Sequence, residues 1–305
     1  MDGVLIIDKP KNFTSFDVVA VIRGVCQTKK VGHTGTLDPM ATGVLPILLG
    51  NATKAQSLLP DTNKAYEAEF SLGMRTDTLD ITGVVTERRA KLAGLADIEN
   101  TLENFRGEIF QTPPMYSAVS VGGRRLYELA RQGVEIEREK RRVFIENLEL
   151  IDFDEKTQSG RLSVSCSKGT YIRTLIDDIG EAIGTLAVMT GLRRTLACGY
   201  NTDEAITLDE LKSLKSNGGI EAVNTLIKPT ETVFEPYRPV FVTAAQAMRF
   251  KNGGSLSLSR TELANKNHID NEIYRVYERA GGFLGLGKVN LNKNELGFLK
   301  LFTND

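Results

Sequence analysis

The chain opens on an apolar run, Val4-Leu5-Ile6-Ile7, that predicts a buried strand, and Lys9-Pro10-Lys11-Asn12 supplies the turn that ends it. A helix is expected from about Ser15, with Thr14 or Ser15 as its N-cap, because Val18, Val19, Ile22, Val25 and Cys26 recur at helical spacing. From Lys64 to Leu72 the period changes to two. Tyr66, Ala68, Phe70 and Leu72 share one face and Glu67, Glu69 and Ser71 the other, the signature of a half-buried strand. Further strands are predicted at 84–87, 115–121, 143–153, 162–166 and 196–199, with helices near 95–105, 124–132, 170–183 and 208–214. This order gives an α+β fold with a mixed, largely antiparallel sheet, since regular βαβ alternation is missing. The stretch 215–236 loses periodicity and gains Gly218, Gly219, Pro229 and Pro236, so a boundary is expected there, separating 1–235 from 236–305. The tail offers a short helix near 244–250 and strands at 273–277, 283–289 and 296–302 around two Gly-Gly turns, enough for a small β-barrel.

Composition narrows the class. No segment approaches the roughly 18 apolar residues of a membrane span, and Met1-Asp2-Gly3 leads into the first strand without a basic, signal-like region. A cytoplasmic protein is the expectation. Cys26, Cys166 and Cys198 are far apart, and His33 and His268 are the only histidines, so a disulfide framework and Cys- or His-ligated metals are not expected. The net charge of -1 taken alone argues against a nucleic-acid partner. It averages over alternating blocks, however: 1–60, 120–145, 161–199 and 236–305 are net positive, and the blocks between them net negative.

The densest cluster of unusual residues runs from Gly32 to Pro46, a tightly shaped loop between a helix and a strand. It lacks the G-x-x-x-x-G-K-[ST] pattern of a phosphate-cradling loop, which leaves a nucleotide-dependent kinase a weak reading. Asp38 precedes Pro39, which biases its backbone toward the extended region and restricts where its carboxylate points; a structural Asx-turn would read the same way. At Ser167-Lys168-Gly169-Thr170-Tyr171-Ile172-Arg173, a helix capped by Thr170 puts Arg173 in the first turn, where the dipole disfavours a cation. Arg173 is therefore a candidate to pair a buried anion or a phosphate, beside the alternative of a solvated side chain. Tyr66 on its strand's inner face, taken alone, reads as core, and His33 as a packed or hydrogen-bonded structural residue. Thr76-Asp77-Thr78-Leu79-Asp80 has the wrong spacing for a calcium loop.

Read together, these segments resemble the bacterial tRNA pseudouridine synthase B family, the TruB enzymes that isomerise uridine 55 in the T-loop of tRNA. The run from Gly3 to Pro10 with Thr14-Ser15, the run from Lys29 to Gly43, Lys64-Ala65-Tyr66 with Leu72-Gly73 and Thr76-Asp77-Thr78, and the run from Ser167 to Arg173 are similar to its motifs in order, and Gly191-Leu192-Arg193-Arg194-Thr195 continues the series. The tail from about Pro236 more loosely resembles a PUA barrel. The resemblance implies that Asp38 is the catalytic aspartate, that Arg173 pairs with it and keeps it ionised, and that Tyr66 stacks on the uracil and takes part in removing the C5 proton. It further implies that Tyr171 and Leu192 line the base pocket, that His33 helps hold the everted T-loop, and that Lys9 and Lys64 belong to the substrate-binding set. The segment 122–142 looks like a mobile insertion that closes over bound RNA. A monomer acting on the tRNA T-arm is implied, with no cofactor, no metal, no membrane and no required protein partner.

The chemistry suits these residue types. Turning uridine into pseudouridine breaks N1–C1′, rotates the uracil, joins C5 to C1′ and removes the C5 proton without redox change, so one ionised aspartate acts as nucleophile or as base. The base must leave its stack, and aromatic and apolar walls offset a cost of a few kcal/mol. A non-catalytic RNA-binding protein on the same scaffold is the alternative.

Overall fold

The computed structural model describes residues 1–60, 63–264 and 266–303. Its centre is a ten-stranded mixed sheet whose main path runs Ile206–Thr207, Gly3–Lys9, Thr42–Leu49, Ala187–Ala197, Lys64–Leu72, Ser159–Cys166, Arg141–Asp154 and Gly107–Gln111. Two pairings in it are parallel, Gly3–Lys9 with Ile206–Thr207 and Ala187–Ala197 with Thr42–Leu49, and the rest are antiparallel. Among the described residues no helix is long and apolar enough to cross a membrane.

The first strand is continuously apolar because both its faces are covered. Leu5 and Ile7 pack under the helices Ser15–Cys26 and Leu208–Asn224, whereas Val4 and Ile6 pack toward Phe234 and toward Leu286 and Phe302 of the tail. Thr14 caps the first helix through a capping box with Asp17. The alternation of Lys64–Leu72 is realised residue for residue, with Tyr66, Ala68, Phe70 and Leu72 in a core shared with the helices Leu95–Leu102 and Ile172–Ile183. One glycine is obligatory here. Gly43 has φ +102°, and a Cβ on it would lie 2.2 Å from the Arg194 carbonyl oxygen, so glycine permits the close parallel pairing of Thr42–Leu49 with Ala187–Ala197.

Four local expectations change. Of 115–121 only Ser120–Val121 is a strand, because Pro113 and Pro114 lack donors and the Tyr116 carbonyl is taken by Arg173. The expected strand at 196–199 is the end of a longer one, Ala187–Ala197, whose buried arginine and two bulges hide its alternation. The helix from Leu208 continues to Asn224 across a non-helical Gly219 (φ 66°, ψ -162°), so 215–224 is not linker. Tyr171, not Thr170, is the N-cap of Ile172–Ile183, which puts Arg173 at the second helical position.

The tail forms a separate five-stranded sheet, curled as a half-barrel, in the order Arg238–Val242, Ile273–Glu278, Phe283–Asn290, Glu295–Leu301, Leu256–Ser257. Phe234, fully buried, stacks on Tyr237, meets Phe283 and Phe302 at tilted angles and joins both sheets in one apolar cluster. Phe234→Ala is expected to cost about 3–5 kcal/mol of stability. It should lower the denaturant midpoint in a single transition, and two well-separated transitions would contradict the shared core.

Candidate active site

The carboxyl end of the loop after Val31–His33 and one end of Lys64–Leu72, Ala187–Ala197 and Ile172–Ile183 converge on a cavity of about 240 Å³. Asp38, Lys64, Tyr66, Tyr171, Arg173 and Leu192 line it, with Ser117 and Ala118 opposite. Strand register explains part of the set: on the inner face Arg194 stands across from Tyr66, and Leu192 across from Ala68. A larger cavity, about 600 Å³, lies along Thr174, Asp177 and Asp178 of the same helix, but neither Asp38 nor Tyr66 lines it.

Arg173 is the hub. Its side chain is 6% exposed; Nε lies 3.0 Å from Asp38 Oδ2, and Nη2 donates to Asp38 Oδ1 at 3.3 Å. Nη1 donates to the Thr78 carbonyl and Nη2 to the Tyr116 carbonyl, each at 2.9 Å, and Asp80 Oδ2 is 3.7 Å from Nη1. A cation at a helix N-terminus is thus compensated by two carboxylates and two carbonyls. Asp80 itself sits at the end of the rejected calcium-like segment, where Thr78 and Thr82 donate to it. The open N-terminal turn of the helix is tied elsewhere: Gln111, almost fully buried, accepts from the Tyr171 N–H at 3.0 Å and donates to its carbonyl at 3.2 Å.

Burial pushes the Asp38 carboxyl above its ordinary value; Arg173 opposes this and the Asp80 charge adds to it. The Arg173 charge favours the ionised form, as expected, and burial acts in the opposite direction and sets the net sign. About a third of the side chain remains open (35%), on the cavity side.

The Asp38 loop is gripped by buried polar side chains, and for one of them, Arg194, sequence reasoning gave no role. Arg194, 0% exposed, donates to the carbonyls of Val44 (2.7 Å), Thr36 (3.4 Å) and Gly35 (3.2 Å). Ser15 Oγ accepts from the Leu37 N–H at 2.9 Å. Lys9 also works on the backbone. Fully buried, it donates to the carbonyls of Pro10 (2.9 Å), Phe13 (2.5 Å) and Pro39 (3.3 Å), outside the lining of this cavity. The available signal was the period-two strand through Arg193-Arg194: one arginine must face in, and Arg193 pairs outward with Asp8 at 2.7 Å.

Burial raises the Tyr66 hydroxyl to about 12, partly countered by Arg194. Burial, reinforced by Arg194, lowers the Lys64 ammonium and the His33 imidazole. His33, also outside the lining, ends the Val31–His33 strand and meets exposed Phe16 edge-on at 5.9 Å. Among the described residues no group of three or more His, Cys, Asp or Glu is placed to hold a metal ion. An anchored carboxylate beside a phenol in a half-closed apolar and aromatic pocket can act on a sugar carbon or its attached base.

Residues 23–172 match the family model for TruB family pseudouridylate synthase (N terminal domain), and residues 173–235 match that for the tRNA pseudouridylate synthase B C-terminal domain. The tRNA pseudouridine synthase B of Pseudomonas fluorescens (strain Pf0-1) is 42% identical over 290 residues, covering 95% of this chain and 92% of that protein. The protein of the same name from Clostridium kluyveri is 41% identical over 303 residues, covering 99% and 100%. Among solved structures, a chain of a Cbf5-Nop10-Gar1 complex superposes with a TM-score of 0.75 at 26% identity, covering 99% of this chain and 85% of that one. On matches that extend over both faces of the Asp38 pocket and nearly the whole length, the chain belongs to the TruB family of pseudouridylate synthases.

Proposed function

We propose that this enzyme isomerises uridine 55 in the T-loop of tRNA to pseudouridine, acting in the cytoplasm as a monomer on a base everted into the Asp38 pocket. The observation that carries the reading is the carboxylate of Asp38, fixed by Arg173 and lining a cavity that Tyr66, Tyr171 and Leu192 also line. In this reading Asp38 attacks or deprotonates the sugar, Arg173 orients it, and Tyr66 stacks on the uracil and assists loss of the C5 proton. Tyr171 and Leu192 hold the base, offsetting the cost of unstacking it. His33, with Phe16, meets the everted loop outside the pocket, and Lys9 serves by holding the Asp38 loop. Residues 1–235 form the catalytic unit, 122–142 close over the RNA, and 236–305 add grip. The relatives' name, tRNA pseudouridine synthase B, supports the substrate.

Release of tritium from C5-labelled uridine in a T-arm hairpin tests the reading. The intact protein should release it, and Asp38→Asn should lower turnover by about 10³-fold or more. Binding without release would point to a non-catalytic RNA binder.

The acid limb of kcat/KM provides a second measurement. If Asp38 works ionised, its raised value in the folded protein means activity is present above that value and lost as pH falls through it. The limb should therefore lie above the ordinary carboxylate range; a profile flat down to that range would rule out Asp38 as the titrating group.

Removing the tail would expose Phe234, so its role is better read from exposed lysines. Lys288→Glu with Lys293→Glu should raise KM for full-length tRNA severalfold and leave kcat unchanged, with a shallower salt dependence. A lowered kcat at unchanged KM would contradict a gripping role.

A further inference from the structure

Among the described residues two cations line the pocket, Arg173 and Lys64, and two more, Arg194 and Lys9, hold the loop that carries Asp38; three of these four have spent their donors. Arg173 is saturated by Asp38, Asp80 and two carbonyls, while Arg194 and Lys9 each bond three carbonyls. Lys64 differs. Strand alternation places it on the face of Tyr66, it lines the cavity, and it is half-buried. Its ammonium lies against the backbone of Gly35, where an added Cβ would be 3.3 Å from Nζ. Among the described residues it has neither an ion pair nor a hydrogen bond, and beside it stand another cation, Arg194, and the thiols Cys166 and Cys198. Withdrawing an ammonium from water without a partner is costly, so such a group is kept where an anion arrives.

The proposed isomerisation makes one. When N1–C1′ breaks, the bonding pair stays on the uracil, and the charge spreads over N1, O2 and O4. Resting on that reading of the function, we propose that Lys64 is a catalytic residue that donates to a uracil carbonyl oxygen and stabilises the negative charge on the detached base. The pair returns to C1′ through C5, the C5 proton leaves, and N1 gains one, so no co-reactant is consumed. Arg173 and Arg194 cannot take this part, since each would have to abandon the contacts that hold the Asp38 loop and its partners.

Single-turnover tritium release from a C5-labelled T-arm hairpin, with hairpin affinity measured at several salt concentrations, tests this on the full chain. Lys64→Met should slow release about 10²-fold, with Kd within about threefold of the parent, and Lys64→Arg should recover part of the rate. Lys64→Gln serves under the same thresholds if the methionine variant misfolds. Release within threefold of the parent overturns the proposal. So does unchanged release with weakened binding and a salt slope reduced by about one, which would mark a phosphate contact. Failure of the parent protein itself to release tritium would instead remove the functional reading on which this rests.

Discussion

The buried guanidinium of Arg173 is the contact on which the pocket depends. It joins four segments distant in sequence: the Asp38 loop, the turn at Thr78–Asp80, the irregular stretch at Tyr116, and its own helix. A buried cation is tolerable only if its donors are met, and here they are met by the groups that bound the site. Loss of any one partner would leave charge stranded in a poorly solvated place, so the four segments hold one another in register. The Asp38 carboxylate is thereby fixed, while its pocket-facing side stays open.

Around this hub, backbone carbonyls do work that carboxylates do elsewhere. Arg194 and Lys9 are fully buried and bond carbonyls, which position a loop without neutralising the charge. The result is an environment rich in positive potential around two carboxylates. That potential opposes the desolvation of Asp38 and suits a reaction in which charge develops on the base. The net charge of the chain, close to zero, says nothing of this, because a few buried cations outweigh many solvated ones at short range.

The order of elements was legible because the long periodic runs are locally decisive. Lys64–Leu72 alternates and the Ser15–Cys26 helix carries its own capping box, so neither needs distant help. Ala187–Ala197 was cut short because Gly191, Arg193 and Arg194 sit where apolar residues would mark a strand; their places are set by pairing with neighbours on both sides. The helix to Asn224 was cut short for the opposite reason: Gly218 and Gly219 read as a break, yet the helix resumes where Val223 is buried against the first strand's core.

By itself the sequence determined which residues could bear chemistry and roughly which elements carry them, since periodicity, caps and turn residues act over a few positions. It also marked Arg173 as out of place at a helix start. Only the tertiary structure decided what that anomaly is for, how far burial raises the Asp38 carboxyl, and that Lys9 turns inward to the backbone whereas Lys64 faces the cavity with its donors free. Burial, desolvation and hydrogen-bond satisfaction are properties of neighbours brought together from across the chain, so no local pattern encodes them.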